Sequence, residues 1–132
     1  KFDYVVFLQP TSPLRNAKHI DEAIEYMFSK KGDATVSVCE VEHPIHWSGP
    51  LPKDNNMSQF LDRVSVQSRS QDLPTSYRLN GAIYICDVNR FLEEGCVFLK
   101  NNIYAFKMSQ EVSVDIDTRI DFKFAEVLMD EN

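Results

Sequence analysis

The chain has 132 residues, with 14 Lys+Arg against 20 Asp+Glu and a formal net charge of −6. Hydrophobic residues make up 43% and charged residues 26%, a globular balance that argues against a disordered or fibrous chain. The length suits one domain with a real core, the acidic balance argues against a nucleic-acid surface, and the run Val5-Val6-Phe7-Leu8 is far too short to span a bilayer.

Residues 2–9 (FDYVVFLQ) are almost continuously apolar, the pattern of a strand covered on both faces in a parallel sheet. Pro10 and Pro13 end it. Asn16 is the predicted N-cap of a helix reading to about Lys30, with Ile20, Ala23, Ile24, Met27 and Phe28 as its apolar stripe and Gly32 as its stop. Residues 34–41 then alternate as a strand, which makes a βαβ unit. Residues 43–56 hold Pro44, Pro50, Pro52 and Gly49 and read as an excursion from the sheet, with a strand expected over 59–66. Residues 79–86 form a strong strand. Asp87 caps a short helix through Glu94, ended by Gly95. Short strands are expected over 103–108 and 112–116. Thr118 with Asp121 is a capping-box pattern opening a helix through Met129, with Ile120, Phe124, Val127 and Leu128 inward. The expected fold is α/β: a mainly parallel, Rossmann-like sheet with flanking helices.

Cys39, Cys86 and Cys96 are too irregularly spaced for a disulfide framework or a CxxC metal site, so a reducing, cytoplasmic setting is expected. His19, His43 and His46 assemble no catalytic arrangement or zinc site. Three segments carry candidate chemistry. In the first, Gln9, Thr11, Ser12 and Arg15 follow a strand's carboxyl end, where α/β sheets place ligands. They could hold a base, ribose or phosphate, or form a rigid turn with a solvated Arg. In the second, Arg78 and Asn80 face a polar ligand beside Gly81, or Asn80-Gly81 is simply a turn. Arg69 and Arg78 are candidate forks for a carboxylate. In the third, Asp115 and Asp117 sit on alternate residues and can converge on Mg²⁺, or Asp117 caps a helix beside an exposed Asp115.

Taken together, LQPTSPLR at 8–15, YRLNGAIYI at 77–85 and SVDIDTRIDFKFAE at 113–126 resemble the N-acylneuraminate cytidylyltransferases (CMP-sialic acid synthetases) in order and spacing. The resemblance covers essentially the whole chain and implies a nucleotide-diphospho-sugar transferase-like fold. It implies transfer of CMP from CTP to the anomeric hydroxyl of a nine-carbon 2-keto-3-deoxy sugar acid, with Mg²⁺ and release of pyrophosphate. By the same resemblance, Gln9 contacts the sugar acid, Thr11 and Ser12 shape the pocket floor, Arg78, Asn80 and Tyr84 line the site, and Phe98 packs near the acyl group. Asp115 and Asp117 hold Mg²⁺ against the CTP phosphates as the catalytic pair. Residues 43–77 include the excursion that makes a homodimer, within one partial cytidylyltransferase domain over 1–132. The implied reaction is an in-line attack on the α-phosphorus, helped by positioning and charge neutralisation.

Two departures from the family pattern stand out. Its Gly- and basic-rich nucleotide loop is absent, so the chain reads as a C-terminal portion expected to be inactive alone, with an exposed strand edge at residues 2–8 covered by a dimer partner or another part of the molecule. Ser70 stands where the family commonly has an Arg, with Arg69 one residue away, which bears on carboxylate recognition. The alternatives are the sister enzyme for 3-deoxy-manno-octulosonate and a catalytically silent sugar-acid-binding or dimerisation module. Binding of CTP with Mg²⁺ separates enzyme from module.

Overall fold

In chain order the elements are β1 (Tyr4–Phe7), α1 (Ala17–Ser29), β2 (Ala34–Glu40), a 3-10 turn (Ile45–Trp47), α2 (Met57–Arg63), β3 (Tyr77–Asp87), α3 (Val88–Glu94), β4 (Ile103–Lys107), a second 3-10 turn (Gln110–Val112) and α4 (Arg119–Asp130). This computed structural model describes residues 1–64 and 72–131. The chain divides into two compact units, one of residues 1–39 with 79–132 and one of residues 40–78. Arg69, Ser70 and the end of the strand expected over 59–66 lie outside the described residues.

The four strands stand in the order β1-β3-β2-β4. The sheet is mixed, which corrects the expectation of a mainly parallel one. β2 and β4 are parallel, with Ala34 opposite Ile103 and Val38 opposite Lys107. β1 and β3 are antiparallel, with Tyr4 opposite Asp87 and Phe7 opposite Tyr84. The cause is the excursion after β2. It leaves and returns side by side, with Val41 N donating to Ser76 O at 3.0 Å. The chain therefore re-enters running backwards, and β3 takes the place beside β1 that a simple βαβ unit would give to β2.

Two apolar layers sandwich the sheet. Ala23 and Met27 of α1 pack with Ala82, Ile83, Ile85 and Met108. In the second layer, Ala34, Cys86 and Leu99 pack with Val5, Phe91, Val97 and Ile103. β1 is not covered on both faces as expected. Among the described residues it pairs with β3 alone, and Tyr4, Val6 and Phe7 are 36–41% exposed. Continuous apolarity marks a strand, but it cannot say whether a layer lies on each side.

The helix ends follow local chemistry. Asn16 Oδ1 accepts from His19 N and His19 Nδ1 accepts from Asn16 N, both at 3.1 Å, so His19 completes a reciprocal cap. Lys31, at φ +52°, makes the left-handed exit assigned to Gly32. Gly32 is constrained instead by Tyr104, whose ring would lie 2.8 Å from an added Cβ. α2 replaces the strand expected over 59–66, because Asn56 caps it by accepting from Ser58 N at 2.9 Å. α3 is capped by Asp87 and ends at left-handed Gly95, and α4 opens on the Thr118–Asp121 capping box, both as expected. Residues 113–117 join no strand among the described residues, contrary to the strand expected over 112–116. The inward face of α4 is also different. Ala125 is its buried residue, while Ile120 is 78% exposed and Phe124 and Val127 are 55% exposed. The helix packs through its smallest side chain, and the bulky stripe falls beside that contact line.

Asn80 fastens the centre of the sheet. Its Oδ1 accepts from Ser37 Oγ at 2.5 Å and from Ala82 N at 3.2 Å, and its Nδ2 donates to Ser113 Oγ at 2.9 Å. Ile83 N donates to Ser37 Oγ at 2.8 Å, and Ser113 Oγ donates to Ser109 O at 2.5 Å. All three side chains are buried. Such a network stabilises only when every member is satisfied. Asn80→Leu removes three hydrogen bonds at once, those with Ser37 Oγ, Ala82 N and Ser113 Oγ, and is expected to lower unfolding free energy by about 3 kcal/mol. Urea denaturation of this chain checks it, and an unchanged midpoint would refute the network's structural weight.

Candidate active site

The three chemistry-bearing segments meet in the first unit. Ile116 N donates to Thr11 O at 2.9 Å, which ties the loop after β1 to the Asp115–Asp117 segment. Gly81, at φ +72°, lies between them. A Cβ there would sit 2.2 Å from Gln9 Oε1 and 3.9 Å from Asp115 Oδ2. Only a glycine leaves room for the Gln9 amide and takes this backbone conformation without strain.

Arg15 is turned inward rather than solvated. Its Nη1 donates to Gln9 O at 3.0 Å and to Ala82 O at 2.7 Å, and burial pushes its pKa below the ordinary arginine value. Gln9 O also accepts from Ser12 N at 3.3 Å. The loop is thus fixed at its first residue by one guanidinium and one backbone turn.

Two oxygens at this place have no partner among the described residues. They are Ser12 Oγ and Asp115 Oδ1, both buried. Buried polar atoms are rarely left unpaired, so each is an acceptor available to something other than protein. Asp117 is exposed, and its N–H donates to Asp121 Oδ2 at 3.2 Å. The helix cap is Thr118, which leaves the Asp117 carboxylate outside the cap.

Beside Gln9 opens a cleft of about 490 Å³, walled by Leu8, Pro10, Tyr84, Val97 and Phe98 among others. Tyr84 and Phe98 stand edge to face, with centroids 5.7 Å apart. Burial, and then the charge of Asp115, raise the Tyr84 pKa, so the phenol stays protonated at neutral pH. The site therefore sets one amide, one protonated phenol and a carboxylate around a largely apolar wall.

Two other expected residues make protein contacts of their own. Asn80 is 1% exposed and directs its amide into the buried network beneath Gly81. Arg78 belongs to the second unit, where its Nη2 pairs with Glu42 Oε1 at 2.6 Å and holds that carboxyl below the usual glutamate range. Sequence reasoning weighed Arg15 as a phosphate hand and passed over Ser37 and Ser113. Their signal was present: a serine flanked by valines in ATVSVCE, and another in EVSVD, each a polar residue set in an apolar strand-like run.

No protein-family model matches the sequence. An N-acylneuraminate cytidylyltransferase of Streptococcus agalactiae serotype III is 42% identical over 120 residues, covering 89% of this chain and 28% of the relative. A pseudaminic acid cytidylyltransferase of Campylobacter jejuni is 32% identical over 127 residues, covering 96% of this chain and 54% of the relative. This chain is similar to the nonulosonate cytidylyltransferases throughout. A CMP-N,N'-diacetyllegionaminic acid synthase of Legionella pneumophila adds 29% identity over 133 residues, covering 99% of this chain and 56% of the relative. The chain thus spans between about a quarter and a little over half the length of these cytidylyltransferases.

Two measurements probe the geometry. Gly81→Ala is expected to lower stability by about 1–2 kcal/mol through its left-handed backbone and to push Gln9 aside; an unchanged denaturation midpoint would contradict this. An alkaline titration followed by tyrosine absorbance, compared with that of Tyr84→Phe, should show Tyr84 ionising above the ordinary range. Asp115→Asn should bring that pKa down without abolishing the shift, since burial remains. As pH rises past about 10, unfolded tyrosines ionise before Tyr84, so its contribution makes stability fall with pH.

Proposed function

We propose that this chain serves a nucleotidyltransferase that moves CMP from CTP onto the anomeric hydroxyl of a nonulosonate, a nine-carbon 2-keto-3-deoxy sugar acid, and releases pyrophosphate. The observation that carries the reading is the meeting of Gln9, Gly81 and Asp115, one residue from each segment through which the resemblance runs. The relatives are named for N-acylneuraminate, pseudaminic and legionaminic acids, which favours a nonulosonate over 3-deoxy-manno-octulosonate. The names of these relatives, two cytidylyltransferases and a synthase, do not favour a catalytically silent module.

In this reading Gln9 and the protonated Tyr84 hydroxyl hydrogen-bond the sugar acid, Thr11 and Ser12 form the pocket floor, and Phe98 with the apolar wall receives the acyl substituent. Asn80 lies beneath the site and holds the strand at Gly81 and the segment leading to Asp115. The protein positions the sugar hydroxyl for in-line attack and forms no covalent intermediate.

Asp115 and Asp117 fit Mg²⁺, because both are hard oxygen donors and Asp115 Oδ1 is buried with no partner among the described residues. No group of three His, Cys, Asp or Glu converges among the described residues, so phosphate oxygens and water would complete the shell. When bound there, Mg²⁺ supplies neutralisation of charge developing on the phosphates.

The setting proposed is the cytoplasm; no helix among the described residues is long and apolar enough to cross a membrane. The proposed assembly is a homodimer through residues 43–77, supported by the exposure of Ile45, Trp47, Leu51, Met57 and Leu61. Light scattering is expected to give twice the protomer mass, and a monomer would count against it.

The deciding assay is pyrophosphate release by the full gene product with CTP, Mg²⁺ and each of the three sugar acids. Turnover with at least one is expected, and Asp117→Asn should lower it by at least ~10²-fold, as loss of a charge partner in the transition state does. Full turnover by that variant at saturating Mg²⁺ would remove the metal assignment.

A further inference from the structure

We infer that Arg15 is a positioning residue for the sugar acid, acting through Gln9; the inference rests on the cytidylyltransferase reading above. A single guanidinium nitrogen joins a carbonyl of the loop after β1 to a carbonyl in the middle of β3. One is Gln9 O, at the start of the loop after β1, and the other is Ala82 O, one residue past Gly81 in β3. Those two residues flank the place where the Gln9 amide lies over the bare face of Gly81. The separation of the two carbonyls therefore sets how the amide sits against Gly81, and so its distance from Asp115.

Three features make this more than a surface arginine. β1 pairs with β3 over only four residue pairs, the last being Phe7 with Tyr84, so strand pairing does not reach Gln9. The loop holds Pro10 and Pro13, which donate no backbone hydrogen bond, so few groups are available to secure it. Arg15 is also 67 residues from Ala82 in sequence, and the bond crosses from loop to sheet where, among the described residues, no backbone bond does so for Gln9. A lysine cannot replace this contact well, since a compact ammonium lacks the rigid planar donors of the guanidinium.

The test uses the full gene product with Arg15→Ala, Arg15→Lys, Gln9→Ala and the double variant. Arg15→Ala should lower kcat/KM for the sugar acid by about 10²-fold, the scale of a small misplacement of a binding group. KM for CTP should stay within about twofold, which a general loss of folding would not produce. Arg15→Lys should fall between. If Arg15 acts through Gln9, the double variant is no worse than Gln9→Ala alone. Additive losses would overturn the inference.

A readout independent of turnover keeps the two readings apart. In this chain, the Gln9 side-chain amide protons should show nuclear Overhauser contacts to the Gly81 α-protons, lost in Arg15→Ala while the α1 and β4 resonances stay in place. Persistence of those contacts would refute the positioning role even in a protein with full activity. Their loss in a protein that turns over none of the sugar acids would uphold the clamp and reject the cytidylyltransferase reading.

Discussion

One side-chain amide holds the structure's central region together. Asn80 satisfies groups from β2, from its own strand and from the segment before α4: two serine hydroxyls and one backbone N–H. An apolar residue of similar volume would fill the space but could not offer a donor and an acceptor at once. The left-handed residue Gly81, within β3, sits directly after this anchor, and Ala82 N returns to it. The geometry of the site is therefore an outcome of core hydrogen bonding rather than of flexible surface loops.

The site is arranged before any ligand arrives. Gln9, Gly81 and Asp115 are brought together by loop, strand and irregular segment, and each of these is tied by a bond of its own: Arg15 to the Gln9 carbonyl, Asn80 to the Ala82 N–H, and Thr11 to Ile116. Groups held in this way need not be ordered on binding, so less of the interaction energy is lost to immobilising side chains. Ser12 Oγ and Asp115 Oδ1, buried and without a hydrogen-bond partner among the described residues, fit this picture.

Much of this was legible in the residue string, for local reasons. Asn16, Asp87, Gly95 and the Thr118–Asp121 pair act within one helical turn, and each end stands where its chemistry placed it. The three motif segments could be named because their residue types are chemically unusual in strand-and-turn settings. Strand direction was not legible. FDYVVFLQ looks the same whether its neighbour runs up or down, and it is the return of the excursion beside Val41 that decides. Burial was not legible for β1 or for α4, because apolarity reports what a face would prefer and not what lies opposite. Asn80 shows the limit most clearly: beside Gly81 it reads as an exposed turn residue, yet it is buried by contacts to Ser37 and Ser113, 43 and 33 positions away.

The bond between Val41 and Ser76 makes the second unit, in topological terms, an ornament on a hairpin. Its two ends are already closed on each other, so its length enters the free energy of the sheet only logarithmically. Lengthening, shortening or exchanging the segment between those residues changes little in the pairing of β2 with β3. A lineage of such proteins can then vary whatever that segment contacts while the residues around Gly81 keep their places, and the two surfaces can diverge at separate rates.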